Sequence, residues 1–121
     1  MSPVRIQRQR TKGWRMPEGA IYVGRPAWWG NPYPIRDFGR LRAVELFRNS
    51  LMGHWSPSPF AADEPDWLIN AAYRTHEWMR QSGRRIENVR HDLRGHDLAC
   101  WCPLDQPCHA DVLLELANLS I

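Results

Sequence analysis

The stretch Asp97-Leu-Ala-Cys-Trp-Cys-Pro-Leu-Asp-Gln-Pro-Cys-His-Ala-Asp-Val-Leu-Leu-Glu-Leu116 decides the fold, because it holds a strand, a proline-bounded loop and the start of a helix in twenty residues. Leu98 to Cys102 is a short apolar run suited to a buried strand, and Pro103 and Pro107 close it off. A helix is expected from near Cys108. Val112, Leu113, Leu116 and Ala117 recur there at helical spacing, and Asp111 falls in the first turn, where a carboxylate suits the unpaired N–H groups. All three cysteines of the chain lie in this stretch.

Cys108 is thereby placed at a helix N-terminus, whose backbone amides favour a thiolate, and His109 beside it adds to that effect. A catalytic group of Cys108, His109, Cys102 and Asp111 is the functional reading. The competing reading makes the cysteines small core residues, and it suits Cys100 best, in mid-strand. A zinc site of Cys100, Cys102, Cys108 and His109 is a third option. Against it, Cys100 and Cys102 on a regular strand would hold their sulfurs about 6.5 Å apart, so neither metal nor cofactor is assigned. Three cysteines also leave one unpaired in any disulfide scheme.

Working outward, a glycine at 95 precedes the strand and an apolar stripe of Ile86, Val89 and Leu93 precedes the glycine, predicting a helix over 85–94. Helix, glycine, strand, loop and helix in that order specify an α/β layer. The expected fold is a single small α/β domain over 1–121, a short mostly parallel or mixed sheet flanked by helices, with the cysteine loop at the carboxyl end of a central strand. Further strands are expected at Val4–Thr11, as a charged edge strand, and at Ala20–Gly24. Further helices are expected from Asp37 to Met52, with Leu41, Val44, Phe47 and Leu51 inward and Arg40, Arg42 and Arg48 toward solvent or a ligand, and from Asp66 to Gln81, with Leu68, Ala71, Ala72, Thr75 and Met79 inward. His76 is expected at the margin of the latter or in solvent. Residues 53–65 read as a surface loop.

The second unusual stretch is Gly24-Arg-Pro-Ala-Trp-Trp-Gly-Asn-Pro-Tyr-Pro34. Its three prolines and two glycines forbid a helix, so it presents Arg25, Trp28, Trp29, Gly30 and Asn31 on a rigid loop. An arginine for an anion, an indole for a planar ring and an amide for its edge make a candidate binding platform; the alternative is a tight turn whose tryptophans cover the core.

The net charge of +3 is unevenly placed: residues 1–48 carry ten cations against three acids, and residues 49–121 six against ten. Fifteen of the sixteen cations are arginine, which favours forked contacts to phosphate or carboxylate. Arg8 and Arg10 join the candidate substrate-binding set on this ground. Seven tryptophans exceed what the core of so short a chain calls for. No signal-peptide pattern and no long apolar run is evident, so a cytoplasmic protein without a membrane partner is expected.

The segments RIQRQRTKGWRMP (5–17), YVGRPAWWGNPY (22–33) and LRGHDLACWCPLDQPCHADVLLELAN (93–118) resemble the bacterial and phage family known as domain of unknown function 4326. The resemblance implies that the family's GNP-type segment falls on Gly30, Asn31 and Pro32, and its CxC and Cys-His pairs on Cys100, Cys102, Cys108 and His109. The C-terminal stretch is faintly similar to domain of unknown function family 488 as well, with Cys102 where that family shows an acid.

The leading expectation is an enzyme or ligand-binding domain for a nucleotide, nucleic-acid base or similar phosphate-bearing substrate. The alternative is a non-catalytic module that binds nucleic acid or protein, with the cysteines structural or holding zinc. The first reading requires that the 24–34 loop and Cys108 meet at one pocket; on opposite sides, the enzyme would lose its substrate platform.

Overall fold

The computed structural model describes residues 2–119. Among them lie three strands, β1 (Arg5–Gln7), β2 (Ile21–Tyr22) and β3 (Leu98–Cys100), and five helices, α1 (Ile35–Phe38), α2 (Arg40–Leu51), α3 (Asp66–Ser82), α4 (Ile86–Leu93) and α5 (His109–Ala117). The strands form a parallel sheet in the order β1-β3-β2, so β3 is central, and all three of its residues are buried. Arg5 faces Leu98 in the β1–β3 register, and Ile21 faces Leu98 in the β2–β3 register. This is the small α/β domain the sequence specifies.

Parallel strands place their carboxyl ends on one side. The segments that leave β1, β2 and β3 therefore start beside one another, the arrangement in which open α/β sheets form ligand crevices. α5 packs against β1 and β3 and also against α2 and α4, while α2 packs on α3. Its Val112, Leu113, Leu116 and Ala117 enter the same core as Leu98, Val89, Leu93, Phe47 and Leu51.

Several expectations are corrected. The strand at Leu98 stops at Cys100, and Trp101 and Cys102 form a bend. β1 is three residues rather than eight, because the ladder can extend only as far as its short central partner; the Arg8 amide still donates to the Cys100 carbonyl at 2.8 Å before the chain departs. The helix expected from Asp37 is broken at Gly39, whose φ of 79° suits glycine; in α2 Phe47 and Leu51 are inward as expected, joined by Ala43, Leu46 and Ser50, while Leu41, on the opposite side of the helix, is 73% exposed. His76 is buried, held by Ser50 Oγ at 3.1 Å from Nδ1 and covered by the Trp55 ring. Asp66 opens α3 without capping it through its side chain, and Gly83 ends that helix in the left-handed conformation.

Candidate functional site

At the carboxyl edge of the sheet lies a cavity of about 480 Å³. Gly24, Arg25, Asn31, Tyr33 and Pro34 line it from the loop after β2; Cys100, Trp101, Cys102, Pro107, Cys108 and His109 line it from the end of β3 to the start of α5. Arg36 of α1 and Arg40 of α2 complete the wall. The two unusual stretches of the sequence thus share one cavity, although about seventy residues separate them.

The loop owes its shape to internal bonds. Asn31 Oδ1 accepts from the Tyr33 amide at 2.9 Å and Asn31 Nδ2 donates to the Ala43 carbonyl at 3.1 Å, so this amide fastens the loop to α2. Arg25 Nε donates to the Asn31 carbonyl at 2.9 Å. Gly24 is required by close approach: a Cβ there would lie 2.5 Å from the Tyr22 hydroxyl, which donates to the Arg25 carbonyl. The Tyr33 hydroxyl bonds Ser50 Oγ at 2.7 Å, and burial pushes its pKa up to about 12, so it stays protonated.

The opposite wall is a cluster of sulfur. Cys100 Sγ and Cys108 Sγ are 3.1 Å apart, and the three cysteine sulfurs all lie within 4.8 Å of one another. The bend after Cys100 makes this possible, since a continuing strand would have carried Cys102 along its axis and away. Cys100 and Cys108 are fully buried and Cys102 is half-buried. Hydrogen bonds from the Cys100 and Cys108 thiols, reinforced by Arg40, pull the Cys102 pKa well down, while the same bonds and burial push Cys108 up. Cys102 is thus the thiol whose pKa falls, and it is also the one half-open to the cavity. The helix-start effect at Cys108 is present, as its sulfur accepts from the Ala110 amide at 3.5 Å, but neighbouring thiols outweigh it.

His109 Nδ1 lies 3.5 Å from Cys108 Sγ, and Nε2 donates to the Val23 carbonyl. Burial lowers its pKa, which keeps the ring neutral. Asp111 closes a capping box, its Oδ2 accepting from the Cys108 amide at 3.1 Å, and its Oδ1 pairs with Arg5 Nε at 3.1 Å. It holds the start of α5 and does not line the cavity. Arg5 itself is buried and donates to the carbonyls of Leu104 and Gln106 at 2.9 and 2.8 Å, so it also fixes the loop beneath the thiols. Burial works against its charge, but Cys108 and Asp111 outweigh that and raise its pKa.

The remaining predicted residues lie elsewhere. Trp29 is buried in the core and Trp28 packs edge-on against it, with its other contact the Arg84 guanidinium, 4.5 Å from the ring centre. Neither indole lines the cavity, and Gly30 leaves room for the Ala27 carbonyl and for Arg25. Arg8 stacks on Tyr22 and Trp101 at 4.6 and 4.8 Å, and Arg10 on Trp101 at 4.5 Å, so both reach the cavity only through the indole they cover. Trp101 and Tyr33 line the cavity without any signal in the sequence that marks them as site residues, and the sequence does not separate Arg40 from Arg42 and Arg48. What singles Arg40 out is that Arg42 and Arg48 pair with Glu64 and Glu115, a distinction no spacing encodes.

The family model described as domain of unknown function 4326 matches residues 6–119, nearly the whole chain. The chain belongs to that family. The match to domain of unknown function 4326 takes in every residue of the cavity wall. No curated protein and no solved structure matches the chain. No helix among the described residues is long and apolar enough to cross a membrane.

Proposed function

We propose that this domain binds a phosphate-bearing ligand, a nucleotide or a nucleic-acid base with its phosphate, in the cavity at the sheet edge, and acts on it as an enzyme whose reactive end is the sulfur wall. The observation that carries this reading is the convergence of Arg25, Arg36 and Arg40 with the three thiols around one cavity. Its volume of about 480 Å³ falls in the range of small-ligand sites. Each guanidinium has five N–H donors in a planar fork, the geometry suited to phosphate oxygens. Trp101 lies in the same wall, with Arg8 and Arg10 stacked on its ring. The expected cellular setting is the cytoplasm, where such thiols stay reduced.

The test is a pairwise comparison of affinities. A nucleoside monophosphate should bind more tightly than the matching nucleoside, and Arg40→Ala should weaken the phosphate form about tenfold, or about 1.4 kcal/mol, while leaving the nucleoside unchanged. Equal affinities for the two ligands would remove the basis of the proposal.

A second reading, a nucleic-acid binder without chemistry, draws support from the ledge of Arg8 and Arg10 stacked on Trp101 and Tyr22. A single strand laid over that ledge would lose affinity steeply as salt rises, and Arg8→Ala would reduce the salt slope. Weak salt dependence speaks for the small-ligand reading.

A further inference from the structure

Three features of the sulfur wall bear on metal binding. The first is distance. A tetrahedral zinc ion with bonds of about 2.3 Å to sulfur holds its thiolates about 3.8 Å apart. The sulfurs of Cys100, Cys102 and Cys108, at 3.1 Å for one pair and no more than 4.8 Å for any, bracket that spacing. The objection raised by the one-residue gap between Cys100 and Cys102 falls away, because the chain bends between them.

The second is an unsatisfied donor. Arg5, paired with Asp111 at the start of α5, has a side chain only 8% exposed, and its Nη1 is buried without a hydrogen-bond partner. A neutral thiol is a weak acceptor. A metal-bound thiolate carries the charge that a buried guanidinium N–H can use.

The third is direction. All three cysteines line the cavity, and His109 is not among the mutually close donors. His109 Nε2 is already engaged by the Val23 carbonyl, and its Nδ1 meets Cys108 from the adjacent position in the chain, a poor stance for sharing one ion with it.

We propose that Cys100, Cys102 and Cys108 form a three-thiolate site for a zinc ion, with the fourth coordination position open to the cavity. Each coordinating thiol gives its proton to solvent as the ion binds, leaving a centre of net charge −1 beside Arg5 and Arg40. Three protein ligands and one vacant position is the pattern of zinc that works on a substrate or activates a water, whereas a four-ligand site only holds the fold. The inference shares its cavity with the proposed function but does not depend on the ligand being phosphate-bearing.

The test uses the reduced full chain with zinc, and with cobalt(II) as a coloured substitute. Native mass spectrometry should show one zinc per chain, removed by a strong chelator. The cobalt form should show sulfur-to-metal charge-transfer absorption and the strong visible bands of a tetrahedral site, and added imidazole should shift those bands by entering the fourth position. Cys102→Ser, at the half-buried cysteine, should lose stoichiometric zinc and the charge-transfer intensity. If that variant does not fold, the charge-transfer intensity of the wild-type cobalt form still reports the number of bound thiolates. Failure to retain zinc, bands unaltered by imidazole, or metal binding untouched by Cys102→Ser would each overturn the proposal. Nucleotide affinity, measured separately, stands or falls on its own.

Discussion

His109 Nε2 donates a 2.7 Å hydrogen bond to the Val23 carbonyl, joining the first turn of α5 to the end of β2. That bond fixes the tautomer, leaving the Nδ1 lone pair toward Cys108, and the Phe47 ring meets the imidazole edge-on at 5.4 Å. Replacing the ring empties a packed site and strands a buried carbonyl. His109→Ala should cost about 2–4 kcal/mol in urea unfolding. A loss below about 0.5 kcal/mol would show that the bond does not tie the two halves of the cavity.

Alkylation should follow exposure and charge together. In metal-free reduced protein, iodoacetamide should label Cys102 well before Cys100 or Cys108, which are buried with only Cys102 half-open to solvent. Peptide mapping over a time course reads the order directly. Cys108 labelled first would mean that the helix start, rather than the thiol cluster, governs reactivity.

Asp111 should matter for stability through the capping box and the Arg5 pair. Asp111→Ala is expected to lower unfolding free energy by about 1 kcal/mol, the usual value of an N-terminal cap, and the carboxylate's half exposure argues against much more. A neutral result would show that neither the capping box nor the Arg5 pair contributes measurably to stability.

His76 gives a pH signature. Its pKa is lowered chiefly by burial, with Glu77 opposing and Arg80 and His54 assisting. The unfolded chain therefore binds a proton more readily than the folded one. Stability from this group is present above the ordinary histidine value of about 6.5 and declines as pH falls from there to the folded pKa. His76→Gln should flatten that part of the stability–pH curve; an unchanged slope would assign it to other groups.

The sequence is most legible where one pattern has one packing solution. The run Leu98–Cys100 and the stripe Val112, Leu113, Leu116 and Ala117 are buried as expected, and from them follow the central strand, the last helix and the crevice between. Legibility fails where neighbours decide. Leu41 looks like part of the helical stripe, yet in α2 it falls on the side opposite the buried Ala43, Leu46, Phe47 and Ser50 and is exposed. His76 looks like a surface residue until Ser50 and Trp55, from two other segments, enclose it. Trp28 and Trp29 offered rings for stacking, but Arg84 and the core take them, and Trp101 lines the cavity instead. The thiol cluster depends on a bend of two residues at a strand end, which residue spacing does not record.

The most direct check of a shared phosphate-binding cavity is backbone and indole chemical-shift mapping during titration with a nucleoside monophosphate. Saturable shifts should concentrate at Gly24, Arg25, Trp101, Cys102 and His109 and be lost in Arg40→Ala. Shifts confined to the opposite face, or none at millimolar ligand, would contradict it.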